Sequence, residues 1–211
     1  MTEVSATVLA DPAWLREDLG RAARLYGAVG DRVLGTIRWY SASSVLVAPA
    51  LEPFVHTGTA RDPALDAVVL DVHPDGRYLD AHSERVLGRD TEALGAALAR
   101  AIGQAVDALA TVCGATPQSL WAIAADSIAN RLLWAGSAVG DAERAMRLAD
   151  ELGEVIDRPM PRPRFADVGG RPVVRRTSCC LIYEIPGGQK CASCPRQTPA
   201  ERERRLRSLL G

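Results

Sequence analysis

No stretch of the chain reaches 18 consecutive apolar residues. The longest candidate, Val45 to Val55, is interrupted by Pro49, Glu52 and Pro53, whereas a membrane-spanning helix needs about 20 predominantly apolar residues. No membrane span is therefore expected. The opening segment, MTEVSATVLADP, lacks a basic region followed by an apolar one, so a secretory signal is not expected and the compartment is read as cytoplasmic. There is no Gly-x-Gly-x-x-Gly after a strand and no Walker loop, which leaves no sequence basis for a flavin, nicotinamide or nucleotide site. Lysine is nearly absent, Lys190 being the single one. The basic charge is arginine, and without an aromatic-interleaved basic stripe or a reading motif nucleic acid is not an expected partner.

What is present begins with an ordinary globular composition: 47% hydrophobic and 24% charged over 211 residues, enough to build a core without covalent staples. The charge is unevenly placed. From Arg158 to the end, twelve Lys and Arg stand against four Asp and Glu, so the C-terminal end is basic and the remainder acidic.

The pattern predicts an α+β fold, a mostly helical body with a β-hairpin or small antiparallel sheet. Asp11-Pro12 opens a helix to about Gly27, with Leu15, Leu19, Ala22, Ala23 and Tyr26 at helical spacing. Asp31 is read as the cap of a second helix through Tyr40, and residues 41–56 as a further helix broken near Pro49. Residues 68–72 and 77–82 flank His73-Pro-Asp-Gly76 and read as a hairpin, which would bring His73 and His82 near each other. Long helices follow from Asp90 or Thr91 to Gly114, from Thr116-Pro117 to about Ala138, and from Asp141 to about Val155. The first two of these are expected to pair as an antiparallel hairpin. Pro159, Pro161 and Pro163 then stiffen a connector, and the boundary is placed there: a body of 1–160 and a segment of 161–211.

In that segment four of the five cysteines fall within sixteen residues: Cys179-Cys180, then Cys191-Ala-Ser-Cys194. Three chemistries use four close thiols: disulfides, a zinc site or an iron–sulfur cluster. Disulfides suit small secreted domains. Zinc normally takes two Cys-x2-Cys knuckles, and here one half is an adjacent pair, whose side chains would point to opposite faces of a strand. The backbone must turn at that pair, or the thiolates must reach a wider object such as a two-iron cluster, which favours iron–sulfur. Pro186-Gly187-Gly188 supplies the return turn, with glycines for positive φ or close approach. Cys113 stands apart and reads as a small buried residue.

The run Arg175-Arg176-Thr177-Ser178-Cys179-Cys180, the pair Gly187-Gly188 and the close Cys191-Ala192-Ser193-Cys194-Pro195 resemble the C-terminal signature of the FhuF family of ferric-siderophore reductases. Residues 181–190 make its ten-residue spacer and 192–193 its two. The resemblance covers about the last forty residues. It implies a [2Fe–2S] cluster on Cys179, Cys180, Cys191 and Cys194, one-electron reduction of iron in a ferric siderophore, and an external electron donor such as a ferredoxin or a separate reductase. A basic neighbourhood would favour the more negative, reduced cluster and steer an acidic donor.

The helix from Pro117 carries Trp121, Asp126, Asn130, Arg131 and Trp134. The plain reading is core tryptophans with a solvated polar flank. The sharper one is a wall for the chelate, with Trp121, Asn130, Arg131 and Trp134 as substrate-binding candidates. The competing functions are a ligand-binding module stapled by zinc, and a general [2Fe–2S] electron carrier without a chelate site.

Overall fold

Capping side chains set where the helices begin. The computed structural model describes residues 1–210. Strand β1 (Thr2–Ser5) and a 3₁₀ turn lead into α1 (Pro12–Tyr26), capped by Asp11, whose carboxylate accepts from the Ala13 N–H at 2.8 Å. Helix α2 follows (Asp31–Thr57), then β2 (Ala60–Arg61), β3 (Val69–Val72), β4 (Tyr78–His82) and β5 (Val86–Gly88). Asp90 caps α3 (Thr91–Cys113), Thr116 caps α4 (Pro117–Ala138) and Asp141 caps α5 (Ala142–Val155). A hairpin of β6 (Phe165–Val168) and β7 (Arg171–Val174) precedes α6 (Pro199–Leu210).

Helix α2 departs from expectation. It is one helix of 27 residues with Pro49 and Pro53 inside it, preceded by Gly30 as the cap residue, and Asp31 is its first residue. Each proline removes an amide donor, at about 3 kcal/mol in an exposed helix. Burial outweighs that here, since Val45, Leu46, Val47, Ala48, Pro49, Ala50 and Leu51 are all buried. Helix α4 packs most extensively on α2 and α5 rather than forming a simple hairpin with α3. At the α2–α4 crossing the Trp39 indole donates to the Leu120 carbonyl (2.8 Å) and the Ser43 and Ser127 hydroxyls share a hydrogen bond of 2.8 Å. At the α4–α5 turn a Cβ on Gly136 would run into Ala145, so only glycine permits that approach.

Helix α3 is long and apolar enough to cross a membrane by length and composition, and more than half of that stretch is buried inside the fold, as in a core helix.

The sheet is antiparallel in the order β1-β3-β4, and β2 pairs with β5. The expected hairpin is β3–β4, with its turn closed by the Gly76 N–H to the His73 carbonyl (2.7 Å). Its register corrects the histidine reading. His82 pairs with Val69, while the His73 amide bonds to Arg77 at the turn, so the two lie at opposite ends of the ladder. Beneath this sheet Asp18 of α1 and Arg38 of α2 form a buried ion pair (2.8 and 2.9 Å), which the Tyr78 hydroxyl joins at 3.2 Å and which reaches the Gly76 carbonyl. The pair ties three elements together, and a buried charge left without its partner would cost about 3–5 kcal/mol.

Candidate metal centre

The last strand, β7, lies on α4, where Val174 packs with Ala129 and Leu133. Beyond it the chain is held by one carboxylate. Asp126, 3% exposed in the middle of α4, accepts from the backbone N–H groups of Thr177 and Ser178 (both 3.0 Å), from both their hydroxyls, and from Arg176 Nε at 3.4 Å. Such saturation is what a buried carboxylate requires.

Cys179 and Cys180 follow directly. Leu181 then turns the chain with φ +61°, the one non-glycine residue at positive φ among the described residues. That conformation costs about 1–3 kcal/mol, and the Leu181 side chain is buried against Val33 and Ile37 of α2, which offsets it. The backbone thus turns just after the adjacent pair. A 3₁₀ turn (Ile182–Glu184) and the Pro186–Gly188 bend bring the chain back. Gly187 has φ +72°, and a Cβ on Gly188 would collide with the Ile182 carbonyl oxygen, so both glycines are needed for the reasons their chemistry suggested. The second arm closes on itself: the Cys194 N–H bonds to the Cys191 carbonyl (3.0 Å), and the Gln197 amide donates to the Cys191 and Ala192 carbonyls. Arg205 of α6 donates to the Lys190 carbonyl at 2.8 Å.

The turn brings the four thiols together as two pairs, each with one cysteine from each arm. Cys179 Sγ lies 3.8 Å from Cys194 Sγ, and Cys180 and Cys191 are near enough that each shifts the other's titration. All are free thiols, with Cys180 and Cys194 buried and Cys179 and Cys191 half-buried. Cys113 is also free and buried, packed against Gly35 of α2. Among the described residues no three His, Cys, Asp or Glu converge as for a single ion.

Arg176 binds the two halves of this arrangement. Its guanidinium donates to Cys191 Sγ at 3.4 Å and lies 4.5 Å from the centre of the Tyr40 ring. Burial opposes its charge, but Tyr40, Asp126 and the Cys180 and Cys191 thiols outweigh that and raise its pKa. The Cys191 thiol is lowered to about 6, first by the neighbouring Cys180 and then by Arg176 and the Ser193 hydroxyl. The same pairing and burial push Cys180 up, and burial pushes up Cys194 and Tyr40.

Residues 176–196 match the family model of the FhuF 2Fe-2S C-terminal domain. Over this stretch the chain is similar to the FhuF iron–sulfur domain. The match starts at the buried guanidinium and ends at Arg196, just past the last cysteine. No curated protein matches the chain. The FhuF domain indicates a [2Fe–2S] cluster as the cofactor. The residues present fit that group, since it takes four thiolates, two to each iron, and the thiols stand as two free pairs with a cationic N–H aimed at one sulfur.

Two surface grooves flank the FhuF segment. One, of about 280 Å³, is lined by Cys179, Leu181, Thr177 and Ser178 of the first arm, Arg196 beyond the second, and the opening turns of α2 and α4. The other, of about 240 Å³, is lined by Tyr40, Ser44, Asn130, Arg131 and Trp134. Three of the four substrate-wall candidates share the second groove. Arg131 there is paired with Glu52 (2.8 Å) and Ser44 (3.0 Å), and Trp134 is 55% exposed. Asn130 donates back to the Asp126 carbonyl, and Trp121 is buried in the core beneath α3, outside both grooves. A further surface cavity, about 550 Å³ around Arg100 and Gln104, touches no residue of the cysteine segment.

Asp126 is the residue that sequence reasoning placed in the wrong company. A single carboxylate at the centre of an apolar run, with Ile123, Ala124, Ala125, Ile128 and Ala129 around it, was the available signal for a buried partner.

Proposed function

We propose that this protein is a cytoplasmic ferric-chelate reductase of the siderophore-reductase kind, with Cys179, Cys180, Cys191 and Cys194 holding a [2Fe–2S] cluster. When bound, the cluster supplies a one-electron couple. An external donor, a ferredoxin or a separate reductase, provides the electron, and Fe(III) in a ferric siderophore accepts it to become Fe(II). Oxygen-rich chelates hold the harder Fe(III) far better than Fe(II), so reduction loosens the metal.

The observation that supports this reading best is the half-buried Cys179 thiol in the wall of an open groove that also holds two arginines. A general carrier needs an exposed edge only. This chain sets a ligating residue beside a space that a chelate can enter. The body contributes rigidity: Asp126 fixes the first arm, Leu181 and Gly188 fix the turn, and Arg176 holds positive charge against Cys191. The arginine-rich α6 suits an acidic donor, so donor turnover should fall with ionic strength.

The test is the anaerobically purified protein, examined by visible absorption and EPR before and after dithionite, then mixed with a ferric siderophore and an Fe(II) trap. A brown protein with a rhombic S = 1/2 signal on reduction, altered in Cys179→Ser, and Fe(II) release that depends on the cluster, is the expected result. A colourless protein with stoichiometric zinc would leave a binding module. A loaded protein that reduces artificial acceptors but no chelate would leave a general carrier.

A further inference from the structure

The groove beside Cys179 has a chemistry that its volume alone does not convey. Four of its hydroxyls have already committed their protons. Thr36 donates to the Arg32 carbonyl (2.6 Å), Ser119 to the Thr116 carbonyl (2.8 Å), and Thr177 and Ser178 both to Asp126. They line the groove but can offer only lone pairs. The strong donors left are guanidinium groups. Arg196 has no carboxylate partner among the described residues and lies 5.7 Å from the centre of the Tyr183 ring. Arg32 reaches Glu184 at 3.6 Å with both side chains partly exposed, a pair of a kind that holds weakly and can be shared.

The charged side chains in the groove wall are both arginines. No Asp or Glu is among the lining residues, and Arg32 and Thr36 of α2, the α4 cap residue Thr116 and Ser119 of α4 contribute to the wall from the N-terminal ends of those helices, where the dipole is positive. The groove with Asn130, Arg131 and Trp134 differs on both points. Its arginine is already neutralised by Glu52, and no cysteine lines it.

We infer that the groove between the first turns of α2 and α4 and the cysteine arms is the docking site of a negatively charged, oxygen-donor ferric chelate, gripped by Arg196 and Arg32 beside Cys179. The inference rests on the reductase reading and adds where the substrate sits and which class it belongs to. A groove of about 280 Å³ takes one chelate ring and leaves the rest of the complex in solvent. The anionic classes are catecholates and carboxylates. A neutral tris-hydroxamate complex offers the guanidinium groups no net charge.

Gallium(III) complexes test this without electron transfer, because gallium(III) is not reduced under these conditions. Calorimetric titration of the cluster-loaded protein would use gallium tris-catecholate, gallium citrate and a neutral gallium tris-hydroxamate. The expected result is preference for an anionic complex, weakened about tenfold by Arg196→Gln and about tenfold by Arg32→Gln, with the stronger of the two anionic titrations naming the donor class. Arg196 lies close to Cys194, so each variant is checked for an unchanged visible spectrum. Arg32 is far from the cysteines in sequence and keeps the test decisive if Arg196→Gln loads poorly. Equal affinity for neutral and anionic complexes, or binding lost in Trp134→Ala and kept in both arginine variants, overturns the inference. Failure of the two readings can be told apart. Chelate binding in this groove without ferric reduction removes the reductase and leaves the site; reduction of anionic ferric chelates at rates indifferent to both arginines removes the site and leaves the reductase.

Discussion

Asp126 and Arg176 meet 50 residues apart in sequence, with Nε 3.4 Å from Oδ2 and both side chains almost wholly buried. The carboxylate belongs to the helical body and the guanidinium touches a cysteine sulfur. Through this pair the body and the iron–sulfur segment share one electrostatic unit, and removing either partner leaves the other buried and charged, a loss of about 3–5 kcal/mol.

Asp126→Asn keeps the volume but removes the charge and turns half of the acceptor capacity into donors facing the Thr177 and Ser178 N–H groups. We expect the iron bound per protein to fall several-fold and limited proteolysis to cut near residues 175–190, while helical circular dichroism is retained. Full iron loading in this variant would show that the arm holds its place without the carboxylate.

Arg176→Gln or Arg176→Lys removes the guanidinium donor to Cys191. A hydrogen bond from a charged donor contributes about 1.5–3 kcal/mol, and for one electron a tenfold change corresponds to about 59 mV. The loss should fall on the reduced, more negative state, so the potential should drop by on the order of 50–100 mV, with lysine recovering part of it. Redox titration followed by EPR measures this, and an unchanged potential would separate Arg176 from tuning.

In the metal-free chain Cys191, lowered to about 6, is a thiolate at neutral pH, whereas burial and its partner keep Cys180 protonated. The groups around it are Cys180, Arg176, Ser193 and Cys194. Thiolate is the reacting form, so alkylation at Cys191 should rise with pH through about 6 and level off above it. Peptide mapping after brief iodoacetamide treatment at pH 7 should find Cys191 modified before Cys180. Arg176→Gln should move the midpoint upward.

Gly188→Ala would place a Cβ into the Ile182 carbonyl oxygen. Backbone cannot give way as a side-chain tip can, and overpacking of this kind costs about 1–3 kcal/mol. The second arm would sit displaced from the first. Iron content should fall while thermal unfolding of the body stays close to that of the parent.

Much of the body was legible because its signals are local. Asp11-Pro12, Asp90, Thr116-Pro117 and Asp141 begin helices for reasons contained within four residues, and Pro-Asp-Gly made the β3–β4 turn. Strand β1 was not, because its four residues carry no turn signal and their partner β3 lies more than 60 residues away. Strand β6 was missed for a similar reason, since Phe165-Ala-Asp-Val168 becomes a strand only by folding back at Gly169-Gly170 onto β7. In α2 the prolines suggested a break that burial overrode. At the site the cysteine spacing was readable as it stood, and so were the two glycines. The Asp126 clamp and the groove at Arg32 and Arg196 arise from contacts between distant segments, which no window of sequence contains.

The unequal anchoring of the two cysteine arms has a consequence for what the cofactor would hold together. The first arm is nailed to α4 through its backbone amides, whereas the second bonds to itself and to α6 and meets the first through Arg176 and the thiols. One half of the nest is fastened to the body, and the other chiefly to itself and to α6. A cluster seated here would bridge the two, so that the cofactor itself becomes the main tie between the second arm and the body.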